Sequence, residues 1–209
     1  MATKFNFYCK VLLVLVCVCV TIEVISQPSR SLNSAPLKGL AVLEVARKDV
    51  GLIEGRSNTG FTQKYAKRWN EAHPKGKLAL NSPYCGLAVW YWYQTAGVNP
   101  NIKFSPRALN WKTYCKKPVS FFGLTIKELE AIPLASAIVY KNSWGNHVGL
   151  FEKANMADIY TYEGNTSSAR SVQKYPVRKE GVFYLKTSVN NKDLKPIYYC
   201  DCIKQGNPL

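Results

Sequence analysis

Histidine is nearly absent from this chain of 209 residues, which contains only His73 and His147. Imidazole chemistry therefore has two candidate positions and no more. Acidic side chains are also scarce, with 13 Asp and Glu against 28 Lys and Arg, leaving a formal charge of +15. Such a balance favours anionic partners, namely wall polymers, a membrane surface or nucleic acid. No low-complexity tract and no internal repeat is visible. Long apolar runs are missing too: the most apolar stretch, VLLVLVCVCV from Val11 to Val20, is short for a membrane span, and Glu23 interrupts its far end.

That first stretch instead has the layout of a secretory leader, with Lys4 and Lys10 ahead of the apolar run and VISQPSRS behind it. Cleavage after Ser26 is expected, with residues 27–36 as a linker and one domain over residues 37–209. A lipoprotein reading of Cys17 and Cys19 fails because Val16 and Val18 stand where a small residue is needed. About 180 residues remain, enough for one domain with a real core. An exported or cell-envelope location ranks wall and membrane partners above nucleic acid, and no stable membrane insertion is expected once the leader is removed. Of the seven cysteines, Cys85, Cys115, Cys200 and Cys202 lie beyond the leader. In an oxidising compartment these allow three full pairings, so a disulfide is the default reading of Cys85.

The pattern along the chain predicts helices first and strands afterward. Ser34-Ala35-Pro36 opens an amphipathic stretch with Leu40, Leu43, Ala46 and Val50 on one face, ending near Gly51. Phe61, Tyr65 and Trp69 mark a second helix to about Asn70, and His73-Pro74-Lys75-Gly76 a turn with His73 in solvent. In NSPYCGLAVWYWYQTAG, Ser82 suits an N-cap, Pro83 the first helical position, Cys85 the third, and Gly97 the closing cap. A short helix from Ser105 to about Tyr114 follows, then a capping box at Thr125 and Glu128 before Pro133. Strand character runs over residues 135–140, 147–152, 158–163 and 181–186, with a final edge strand over residues 196–203. The fold class is α+β, N-terminal helices packed on a C-terminal antiparallel sheet.

Chemistry concentrates in three of these elements. A cysteine in the first turn of a helix sits by the positive end of the dipole and by unpaired N–H groups, which favour thiolate and can cradle an oxyanion. His147 heads an apolar strand in SWGNHVGLF, where Gly145 and Gly149 would let another chain approach closely. In DIYTYEGNT, Glu163 and Asn165 stand two apart, hence on one face, and a hairpin would bring them beside His147. Glutamate can hold the imidazole, and asparagine can orient it or donate to a reacting carbonyl.

SPYCGLAVWYW, NHVGLF and YEGNTS, in this order, resemble the CHAP domain, a branch of the NlpC/P60 cysteine hydrolases within the papain-like fold. The likeness runs from about Leu37 to Lys186 and includes ARKDVGLIEGRSNTG upstream. Two positions depart from the family: Tyr84 precedes the cysteine, and Leu134-Ala135-Ser136 replaces the usual Gly-Asp before the first strand. The resemblance implies a secreted peptidoglycan amidase or endopeptidase with Cys85 as nucleophile, His147 as base, Glu163 holding His147 and Asn165 in support. Tyr84 and Trp144 would line the cleft, with Trp90 buried. No metal or organic cofactor is implied, the partner is peptidoglycan or another anionic wall polymer rather than nucleic acid, and a monomer is expected. With Cys85 free, Cys115 is expected to pair with Cys200 or Cys202. The alternatives are an idle wall-binding module on the same fold, a secreted toxin or lysin with the same chemistry, and a disulfide-stabilised structural protein.

Overall fold

A computed structural model describes residues 34–53, 61–79, 82–98, 108, 111, 115, 117–143, 145–177 and 179–203. The expected leader, most of the helix from Ser105 to Tyr114, and Trp144 lie outside the described residues. From Ser34 onward the chain belongs to one compact unit.

Three helices come first: α1 (Ala35–Asp49), α2 (Phe61–Ala72) and α3 (Cys85–Thr95). Helix α1 begins at Ala35 with Pro36 in its opening turn, so it takes in the last two residues of the expected linker. Its buried side runs through Gly39, Val42, Leu43, Ala46 and Asp49. Leu40, expected on that face, is turned outward and is 49% exposed. Helix α2 buries Tyr65 and Trp69 as the spacing predicts. Helix α3 is buried on most sides and ends in a glycine cap. Gly97, at φ +66°, directs its N–H to Gln94 at 3.1 Å, and Val98 N–H reaches back to Tyr93 at 3.1 Å.

The helices are joined by one buried carboxylate. Asp49, at the end of α1, accepts from Lys64 Nζ at 2.7 Å, Tyr65 Oη at 2.8 Å and Trp92 Nε1 at 2.9 Å. A carboxylate in the interior is tolerable only when its oxygens are filled, and these three donors fill them. The end of α1, the face of α2 and the body of α3 are thereby fixed relative to one another.

The second half is a six-stranded antiparallel sheet. It comprises β1 (Val119–Ser120), β2 (Ala137–Asn142), β3 (Gly145–Asn155), β4 (Asp158–Ser167), β5 (Glu180–Ser188) and β6 (Leu194–Cys200), in the order β1-β6-β2-β3-β4-β5. The short helix α4 (Ile126–Glu130) precedes β2 and carries the expected capping box, Thr125 with Glu128. The last strand is not at the edge: β6 lies between β2 and the two-residue β1, which is too short to be read from sequence. A disulfide joins Cys115 to Cys200, closing a loop of 85 residues and anchoring β6. Ala135, just ahead of β2, adopts φ +59°. That left-handed conformation costs a non-glycine residue about 1–2 kcal/mol, offset here because Tyr93 Oη donates to the Ala135 carbonyl and Ala135 N–H donates to Phe151 O at 2.9 Å.

Alternation along the strands sorts two cores. Ala137, Val139, Val148, Leu150, Tyr162 and Val182 pack with the helices, and α3 lies against β3 and β4. Ile138, Tyr140, Phe151 and Ile159 face the other way, against Phe121, Leu129 and Ile132. The α+β class and the helices-on-sheet packing are as expected.

Candidate active site

Helix α3 starts at Cys85 itself. Tyr84 is the N-cap at φ −112° and ψ 10° and supplies no side-chain cap. The expected start at Pro83 is therefore corrected: the backbone of Tyr84 is not helical, so Ser82 and Pro83 remain in the lead-in. Cys85 moves from the third helical position to the first, still within the turn whose N–H groups have no intrahelical acceptor. Its thiol is free. The disulfide default for this residue is thus overturned, and the bonded pair is Cys115 with Cys200.

His147 lies near the head of β3, directly opposite Tyr140 of β2. Its Nε2 stands 2.9 Å from Glu163 Oε2, with Glu163 entirely buried. The contact is a close ion pair whose N–H direction departs from an aligned hydrogen bond. Since Nε2 faces Glu163, Nδ1 is the nitrogen left for Cys85. Burial alone would push the Cys85 thiol up, but its hydrogen bond to His147, the charge of that ring, and the backbone N–H groups of Val148 and Gly86 bring it below the ordinary value. Burial works against a charged His147 as well, yet the Glu163 carboxylate and the Cys85 sulfur outweigh it and raise the ring to about 10. Glu163 is likewise pushed up by burial and brought back below its usual range by His147 and by Thr161. Each group favours the charged form of its neighbour.

Behind Glu163 lie two partners that the sequence reading missed. Thr161 Oγ1 donates to Glu163 Oε1 at 2.7 Å, and Tyr140 Oη is 3.1 Å from Thr161 Oγ1, all of it buried. Thr161 was within reach of sequence reasoning, being two residues before Glu163 on the same strand face. Tyr140 was not, because the register of β2 against β3 has no local signature.

The two glycines around the acid have steric jobs. A Cβ on Gly149 would fall 2.5 Å from Glu163 Cγ and 3.0 Å from Tyr162 O, so the close approach expected at this position is that of β4. A Cβ on Gly164 would meet Ala88 at 2.7 Å and the Tyr84 ring at 3.2 Å, beneath the helix that carries the cysteine. Glu-Gly is thus ordered strand, with the acid aimed at His147 and the glycine making room for α3.

Asn165 stands outside the regular ladder. The ladder between β4 and β5 shifts between Glu163 and Thr166, and Asn165 is held at φ +56° in this bulge. Simple alternation does not carry through the bulge, and among the described residues Asn165 makes no side-chain hydrogen bond to Cys85, His147 or Glu163. Tyr84 is corrected too: it is fully buried and stacks on Tyr65 at 5.6 Å between ring centres, which makes it packing and not a cleft wall. Trp90 is buried as expected. His73, expected in solvent, is half-buried, stacking on Trp69 at 4.0 Å with Nδ1 3.1 Å from Trp69 O.

Cys85 and His147 reach the surface only narrowly, at 5% and 7% exposure. Neither of two cavities on the molecule, of about 400 and 330 Å³, is lined by Cys85, His147 or Glu163. Among the described residues no cluster of His, Cys, Asp and Glu is arranged to hold a metal ion, and no helix is long and apolar enough to cross a membrane. Comparison with protein-family models, curated proteins and solved structures gives no match for this chain.

Proposed function

We propose that the protein is an exported cysteine hydrolase of the CHAP and NlpC/P60 type, with a papain-like arrangement, that cleaves an amide bond of peptidoglycan. The observation that carries this reading is a free thiol at the first helical position, beside a histidine that stands 2.9 Å from a buried glutamate and favours the thiolate. The resemblance of SPYCGLAVWYW, NHVGLF and YEGNTS to that family supports the same assignment. The excess of basic residues suits an anionic wall.

In the first half-reaction the Cys85 thiolate attacks the scissile carbonyl carbon, and the carbonyl electron pair moves onto oxygen. Helix-start N–H groups offer donors to that oxyanion. His147 passes its proton to the leaving nitrogen as the C–N bond breaks, leaving a thioester on Cys85 and a neutral imidazole. Water then attacks the thioester while His147 takes its proton, and collapse of the second tetrahedral intermediate releases the acid and restores the ion pair. Glu163 holds the ring, and Thr161 holds Glu163.

Digestion of purified sacculi, with the new termini identified by mass spectrometry, tests the reading and names the bond. Cys85→Ala should release nothing above background. The same fragments from wild type and variant would refute the mechanism.

A further inference from the structure

A second concavity, of about 330 Å³, lies where Tyr160 of β4 faces Lys186 of β5 and the segment from Ala169 to Lys174 folds over them. Three of its lining side chains, Arg170, Lys174 and Lys186, are cationic, and none is acidic. Lys186 is engaged by Asp158 at 2.9 Å, which offsets one charge. Arg170 and Lys174 have no ion-pair partner among the described residues. Ser171 also lines the cavity, with its hydroxyl donated to the Tyr184 carbonyl at 3.4 Å, and the charge of Lys153 rests over the Tyr160 ring at 5.1 Å.

We propose that this cavity is a binding site for a phosphate group carried on a soluble polyol or sugar chain. A guanidinium fork and two ammonium groups on different segments, Lys186 shared with Asp158, suit a phosphate, whose several oxygens can accept from more than one donor. The cavity is also several times larger than one phosphate, leaving room for the chain on either side. No step of the proposed hydrolysis uses Lys174 or Lys186, while the charge of Arg170 acts on Glu163. Only the placing of this site on a wall enzyme rests on the proposed function; the site itself stands on its own lining.

The test measures binding of a fluorescent glycerol-phosphate oligomer to the Cys85→Ala protein, so that failure of the hydrolase reading leaves the result intact. Lys174→Gln/Lys186→Gln should weaken binding about tenfold or more, and Lys38→Gln/Lys75→Gln, which removes the same charge elsewhere, by less than about twofold. Inorganic phosphate should compete, and added salt should weaken the wild type more than the cavity variant. Arg170 is left unchanged because its charge is felt at Glu163. Equal losses from the two double variants, absence of binding to the oligomer, or binding only to phosphatidylglycerol vesicles would each overturn the proposal.

Discussion

Two buried free thiols stand among the described residues, and they are driven in opposite directions. Cys85 and Cys202 are 5% and 1% exposed, so burial penalises both thiolates alike. Cys85 nevertheless falls below the ordinary thiol value, whereas Cys202 is pushed up to about 12. What differs is the company. Cys85 has a histidine charged by Glu163 and two backbone N–H groups. Around Cys202, the Ala137 backbone and the Tyr93 hydroxyl lower the thiol, but neither brings a positive charge, and Asp201 raises it further. Cys202 spends its own S–H on the Cys200 carbonyl at 3.4 Å. Thiol acidity here follows the partners and not the depth.

The contrast breaks most sharply under deletion. Cys85→Ala should abolish hydrolysis of sacculi, a loss of at least about 10³-fold in rate, while Cys202→Ala should retain activity within about twofold. Next in size is Glu163→Gln, which keeps the shape but removes the charge that holds His147 as imidazolium. Its kcat/KM should fall by about 10²–10⁴-fold. Thr161→Val takes away one hydrogen bond to Glu163 and should cost about 3–10-fold in kcat/KM, with the acid limb of the pH profile shifted upward. The smallest effect belongs to the other thiol's surroundings. Tyr93→Phe leaves the Ala135 carbonyl without its hydroxyl donor and should lower stability to denaturant by about 1–2 kcal/mol, with hydrolysis unchanged.

The parts of the site that follow local rules were legible. Cys85 at a helix start, His147 near the head of a core strand and Glu163 on the strand after it are each marked by neighbours within a few residues, and the capping box at Thr125 and the cap at Gly97 likewise. What failed depended on partners distant in sequence. Ser82-Pro83 has the composition of a helix start, yet the chain enters α3 two residues later because Tyr84 must stack on Tyr65 and cover Gly164. Leu40 fits a helical stripe, but the buried stripe is rotated onto Gly39, Val42 and Leu43. The ladder shifts between Glu163 and Thr166, so alternation from Glu163 does not assign a face to Asn165. Asp49, which ties three helices together, has no signature at all, since its donors lie 15, 16 and 43 residues away.

The central claim is that His147 makes Cys85, and not Cys202, a nucleophile. Iodoacetamide labelling of the unreduced full chain across pH, with each modified peptide identified by mass spectrometry, tests it most directly. Labelling rate follows the thiolate fraction, so a group whose thiolate is favoured keeps reacting as pH falls. Cys85 should label at lower pH than an ordinary thiol, Cys202 should resist until strongly alkaline conditions, and His147→Ala should move the Cys85 profile to higher pH. Equal labelling of the two thiols, or a Cys85 profile that His147→Ala leaves in place, would contradict the account.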